Sequence, residues 1–124
     1  MNISTKNRFP DIYNSTVAII GLGYVGLPLA IEIANNKKCF YSGKNICRRI
    51  IGYDINQKRI SQLKENNDIT SEISSTKLKN TKNIKFTSNI QDLYESDIYI
   101  ITVPTPIDIN NKPELTLLKN ASKL

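Results

Sequence analysis

Histidine is missing from this chain of 124 residues, and cysteine occurs only twice, at Cys39 and Cys47. Two cysteines are too few for a disulfide framework, and without histidine they cannot complete a tetrahedral zinc site. No metal site is expected, and the thiols read as reduced, as in a cytoplasmic protein. Long apolar runs are missing as well: none approaches the length a bilayer span needs. The stretch Met1 to Ser15 is polar and broken by Pro10 and Asp11, so it lacks the apolar core of a secretory signal. No membrane contact is expected. Repeats of solenoid length and low-complexity linkers are also absent.

What is present is ordinary for a globular chain, with 40% hydrophobic and 23% charged residues, which argues against a disordered, collagen-like or coiled-coil class. Acid is scarce relative to base: 17 Lys and Arg against 11 Asp and Glu give a net charge of +6. A basic excess invites a nucleic-acid partner, whose binding would fall steeply with salt. Runs such as Asn35-Asn36-Lys37-Lys38 point instead to AT-rich codons, which scatter lysine over a surface without any polyanion to bind, so no nucleic-acid partner is expected.

Thr16 to Ile20 is a short apolar run rich in β-branched residues, the pattern of a strand buried on both faces. Gly21-Leu22-Gly23-Tyr24-Val25-Gly26 follows, and from there Val25, Leu29 and Ile33, with Leu22, Ile31 and Ala34, recur at helical spacing until Asn35-Asn36. The helix is expected to begin near Gly23. Residues 37–49 hold five cations and no acid and read as an inserted loop or small hairpin. A second strand, Ile50 to Asp54, leads to a helix over Gln57 to Glu65 with Asn56 as N-cap and Ile60 and Leu63 turned inward. A short helix near Ser74 to Lys79, a strand at Ile84 to Thr87, helical turns over Ile90 to Glu95, a strand at Asp97 to Val103 and an amphipathic helix from Leu115 complete the reading. Alternating strands and helices predict an α/β fold, a parallel sheet covered on both faces and built from right-handed βαβ units.

The glycine triplet has the context its chemistry requires. Gly21 ends a strand where the chain must turn tightly, Gly23 lets the backbone approach a pyrophosphate, and Gly26 lets helix and strand pack closely. A helix starting there aims free N–H groups and a positive dipole end at phosphates. Asp54, at the tip of the second strand, can accept hydrogen bonds from both ribose hydroxyls of an adenosine and would repel a 2′-phosphate. That favours NAD over NADP, although Lys58 and Arg59 weaken the exclusion; an acid that merely opens the next helix is the plainer account of the same residue. Asp54 lies 28 residues beyond Gly26, where the usual fingerprint has about 20, and the basic insertion accounts for the excess. Pro104-Thr105-Pro106 should lie at the carboxyl edge of the sheet, where its two prolines leave the Thr105 amide and hydroxyl as polar groups for a ligand; a rigid structural turn is the competing account.

Three blocks in order, Gly21 to Ala30, Gly52 to Asn56 with Arg59-Ile60, and Tyr99 to Pro106, resemble the N-terminal domain of the UDP-glucose/GDP-mannose dehydrogenases, most closely the bacterial members that act on UDP-N-acetylhexosamines in capsule and O-antigen synthesis. The resemblance runs from about Val17 to Leu124. It implies a Rossmann-type, doubly wound parallel sheet present only as its first βαβ units: a polar leader over 1–15, then an NAD-binding domain over 16–124 that is truncated at its C-terminal end and lacks a substrate domain. It also implies oxidation of a sugar C6 hydroxyl to a carboxylate by two NAD in succession. By position, Tyr24 and Val25 would give backbone contacts to the pyrophosphate, Asp54 would hold the adenosine ribose, and Arg59 would lie at the adenosine end. Val103, Pro104 and Thr105 would meet the cofactor, Thr105 near its nicotinamide half. Asp68 to Glu72 resembles another family segment, for which the sequence indicates no role.

The family's nucleophilic cysteine and its assisting lysine lie beyond this region, and Cys39 and Cys47 match no motif, so no catalytic residue is expected here. The chain alone is expected to be inactive, as the cofactor part of a UDP-sugar 6-dehydrogenase whose homodimer requires the full length. The alternative is a free-standing or degenerate dinucleotide-binding module.

Overall fold

The computed structural model describes residues 9–124, so the first eight residues of the polar leader lie outside the described residues. Four strands form one parallel sheet: β1 (Thr16–Ile20), β2 (Arg49–Tyr53), β3 (Ile84–Thr87) and β4 (Ile98–Ile101), in the order β3-β2-β1-β4. Val17 sits beside Ile50 on one flank and beside Ile98 on the other. The chain therefore winds outward from β1 to β3 and then crosses back to lay β4 on the other side of β1. That reversal is the switch point at whose carboxyl edge open α/β sheets leave a crevice.

Alternation of side chains along β1 and β2 fills two cores. Val17, Ile19 and Ile50 face α1 (Gly26–Asn35), α2 (Gln57–Lys64) and α3 (Ser75–Asn80), whose Leu27, Ile31, Ile60, Leu63 and Leu78 are buried against them. Ala18, Ile20, Ile51 and Tyr53 face the opposite side, where Leu93, from a 3-10 turn over Ile90–Leu93, and Ala121, from α4 (Thr116–Ser122), cover them. The sheet is thus wound on both faces, as its composition requires.

Several boundaries differ from the sequence expectation for local reasons. α1 starts at Gly26 rather than near Gly23, and Leu22 belongs to the turn, where its side chain is fully buried over Gly52. β4 is shorter than Asp97 to Val103. The Asp97 carboxylate accepts from the Thr16 N–H at 2.8 Å, and the Thr102 hydroxyl is spent on the Gly21 carbonyl at 2.7 Å. The insertion is a small hairpin: Lys38 and Asn45 form a bridge, Ile46 donates to the Lys37 carbonyl at 2.8 Å, and Gly43 turns with φ +68. Its last residue, Arg49, already belongs to β2, beside Thr16.

Candidate dinucleotide-binding cleft

At the carboxyl edge of the sheet, between the ends of β1, β2 and β4, lies a cleft of about 350 Å³. Gly21, Leu22 and Gly23 form its floor, Asp54 and Ile55 one side, Thr102 to Pro104 another, and α4 closes it with Leu117, Asn120 and Ala121.

The three glycines occupy three different environments. Gly21 has φ +103, in the left-handed region that favours glycine, and its N–H continues the sheet to the Tyr53 carbonyl at 2.8 Å. A Cβ on Gly26 would stand 1.7 Å from the Gly21 carbonyl oxygen and 2.4 Å from the Thr102 hydroxyl, so only glycine lets α1 approach β1 this closely. A Cβ on Gly23 would meet nothing within 4 Å. Gly23 is therefore not required by the fold. Its missing side chain leaves open space over the cleft floor, which is what close approach of a diphosphate needs. No side chain caps α1 at Val25; the Leu27 N–H turns back to the Gly23 carbonyl at 3.2 Å and Pro28 has no N–H, which leaves the Gly26 N–H as the first-turn donor for solvent or an anion.

Asp54 follows β2 directly. Its Oδ2 accepts from the Leu22 N–H at 2.9 Å and its Oδ1 from the Asn56 N–H at 2.9 Å. Each oxygen keeps a further lone pair for a ligand hydroxyl. Asn56 in turn caps α2, accepting from the Lys58 and Arg59 amides.

Gly21, Gly23, Asp54, Val103 and Pro104 thus meet in one cleft, as the motifs suggest. Tyr24 and Val25, next along the chain, are 72% and 64% exposed and do not line it, and neither buried Gly26 nor exposed Thr105 does. Arg59 is placed differently: it is 7% exposed and lies behind the glycine turn. Its Nε and Nη2 donate to the Leu22 carbonyl at 2.9 and 2.8 Å, and its Nη1 to Asp68 Oδ1 at 2.7 Å. Asp68 also accepts from the amides of Thr70, Glu72 and Ile73 and from the Thr70 hydroxyl. Burial pushes its carboxyl up, but the hydrogen bonds from Thr70, Arg59 and Ile73 outweigh that and bring its pKa down to about 2.

Sequence reasoning missed the α4 wall and the role of Thr102. The helix was legible, but its docking over the β4 end is a tertiary fact with no local signature. Thr102 sat inside a recognised block, and its hydroxyl on Gly21 was the unread detail.

Neither cysteine lines the cleft. The hairpin that carries them is tied to the segment before β1, Cys47 through its N–H to the Tyr13 carbonyl at 2.7 Å, and so stands at the opposite end of the sheet. Hydrogen bonds from Ser42 and the Tyr41 amide hold the Cys39 thiol down at about 7. Among the described residues no group of three or more His, Cys, Asp or Glu is placed to hold a metal, and no helix is long and apolar enough to cross a membrane.

Residues 15–124 match the model of the UDP-glucose/GDP-mannose dehydrogenase family, NAD binding domain. The chain is 49% identical over 110 residues to protein CapL of Staphylococcus aureus, covering 89% of this chain and 23% of that protein. It is 46% identical over 107 residues to UDP-N-acetyl-D-glucosamine 6-dehydrogenase of Pseudomonas aeruginosa, covering 86% and 23%. A solved structure of UDP-D-ManNAc dehydrogenase from Pyrococcus horikoshii superposes with a TM-score of 0.69 at 30% identity, over 87% of this chain and 24% of that one. The chain thus spans under a quarter of the length of these relatives.

Proposed function

Since the chain belongs to the UDP-glucose/GDP-mannose dehydrogenase family, as its NAD-binding domain, we propose that it holds NAD in the cleft at the carboxyl edge of β1, β2 and β4, on behalf of a dehydrogenase that oxidises C6 of a UDP-N-acetylhexosamine. One observation carries the cofactor assignment: an open position at Gly23 and a carboxylate at Asp54 face the same cleft, the first with room for a diphosphate and the second with acceptors for a ribose. The residues fit the group. The backbone of Gly21, Gly23, Tyr24, Val25 and Gly26 takes the diphosphate, Asp54 the adenosine ribose, and Val103, Pro104 and Thr105 flank the cofactor toward its nicotinamide. Arg59 serves the site from behind the glycine turn.

Bound there, NAD supplies a two-electron acceptor for hydride, and two such acceptors with one water take a primary alcohol to a carboxylate. This chain's own residues bind and orient. Its two cysteines stand away from the cleft and it has no histidine, so chemistry on the sugar falls to residues outside these 124. The similarity to the UDP-N-acetyl-D-glucosamine enzyme supports a UDP-N-acetylhexosamine as substrate. A sugar acid destined for capsule or O-antigen polysaccharide and a homodimer as the working form complete the proposal. Free thiols in the hairpin support a cytoplasmic location.

Titration calorimetry tests the cofactor site. The chain should bind NAD in preference to NADP, and Asp54→Asn should weaken NAD by about 1.5–3 kcal/mol through loss of charge-assisted hydrogen bonds. Unchanged affinity in that variant would remove Asp54 from the site, and no binding of NAD to the unaltered chain would remove the assignment.

A further inference from the structure

The buried pair Arg59–Asp68 is not needed to join elements that apolar contacts already join: α2 carries Ile60 and Leu63 into the main core, and the loop after it carries Ile73. Yet the side chains of the pair are 8% and 0% exposed, and a buried ion pair is a costly way to achieve stability alone. What distinguishes it is its third member, the Leu22 carbonyl, which takes two of the guanidinium's N–H groups.

Leu22 is held on every side. Its N–H donates to Asp54, its carbonyl accepts from Arg59, and its side chain is fully buried. A trans peptide is planar, with its C=O and N–H pointing in opposite directions. Fixing the Leu22 carbonyl on Arg59 therefore fixes the Gly23 N–H on the side away from Arg59. Gly23 lines the cleft and nothing in the protein crowds it.

Asp68 is built to keep the guanidinium in that pose. Besides Arg59 it accepts from three amides and one hydroxyl of residues 70–73, so the loop Asp68 to Ile73 is wound around one carboxylate. Ser71 takes a left-handed φ of +57 inside that loop, a conformation the surrounding hydrogen bonds hold in place.

We propose that Arg59 and Asp68 are positioning residues that set the Leu22–Gly23 peptide so that the Gly23 amide is presented, before any ligand arrives, to the diphosphate of a dinucleotide. The segment Asp68 to Glu72 thereby acquires a function: it anchors the phosphate-binding turn from the far side of α2. The inference rests on the cleft being the NAD site.

A purely structural pair and a positioning pair make different predictions. Loss of fold stability weakens every ligand of the cleft alike, whereas misdirection of the Gly23 amide weakens only ligands with a diphosphate. The test compares ADP with adenosine by calorimetry on the 124-residue chain, in Asp68→Asn and in the double variant Arg59→Met/Asp68→Leu. The double variant replaces the ion pair by apolar side chains and so keeps the core filled. In both variants ADP should bind about tenfold more weakly and adenosine within twofold of the unaltered chain. Equal losses for ADP and adenosine, or ADP affinity unchanged in a folded variant, would overturn the positioning role while leaving the NAD site in place. Failure of the unaltered chain to bind either ligand would remove both the site and the role.

Discussion

Gly23 and Gly26 stand three positions apart and are held to glycine by opposite constraints. An added methyl at Gly26 runs into the Gly21 backbone at 1.7 Å, so Gly26→Ala must push α1 off β1. Chemical denaturation should show a loss of about 3 kcal/mol, the upper end of overpacking costs. The same methyl at Gly23 enters open space, so Gly23→Ala should leave unfolding unchanged to within about 1 kcal/mol while it obstructs NAD. A Gly23→Ala variant that binds NAD normally would show that the diphosphate lies elsewhere. Asp68 supplies a second test at this scale. Its pKa is depressed to about 2 in the folded chain from 3.8, so its contribution is complete above the unfolded value and fades as pH falls toward 2. The stability advantage of the unaltered chain over Asp68→Asn should shrink by about 2 kcal/mol between pH 6 and pH 2, measured by urea unfolding at each pH.

Among the elements, α2 shows what was legible in the sequence. Asn56 was expected as its N-cap and accepts from Lys58 and Arg59, and Ile60 and Leu63 are 4% and 1% exposed, as the helical spacing demands. Asn56→Ala should cost about 1 kcal/mol on unfolding. NAD affinity should be unmoved, because the Asn56 contact to Asp54 is made by its backbone N–H. β1, β2 and β3 were equally legible, since runs such as Val17 to Ile20 are too apolar and β-branched to be anything but buried strand. Arg59 shows where such reading stops. Its place in a motif puts it at the adenosine end, but its bonds to the Leu22 carbonyl and to Asp68 could not be read, because Asp68 sits in a polar loop with no periodicity. The wall formed by α4 was unreadable for a related reason: amphipathicity says that a helix has an inner face, not which edge of the sheet that face will cover.

At the scale of the whole molecule, the cleft and the two thiols stand apart. The cleft holds glycines, one carboxylate and apolar walls, with both thiols at the opposite end of the sheet. Incubated with NAD and UDP-N-acetylglucosamine, the chain should generate no NADH absorbance above a blank without sugar, while calorimetry still registers NAD binding. NADH formation would place catalytic groups within these 124 residues. The hydroxyl bond that floors the cleft, Thr102 to Gly21, joins residues 81 apart in sequence. A ribosome adding about 5–20 residues per second needs roughly 4–16 s to make that intervening stretch, whereas helices and hairpins form in microseconds. During synthesis β1, the glycine turn and β2 therefore wait with one flank of β1 bare, so the nascent chain passes through a sticky half-sheet that no cofactor can yet occupy, and its safe completion depends on how quickly β4 is delivered.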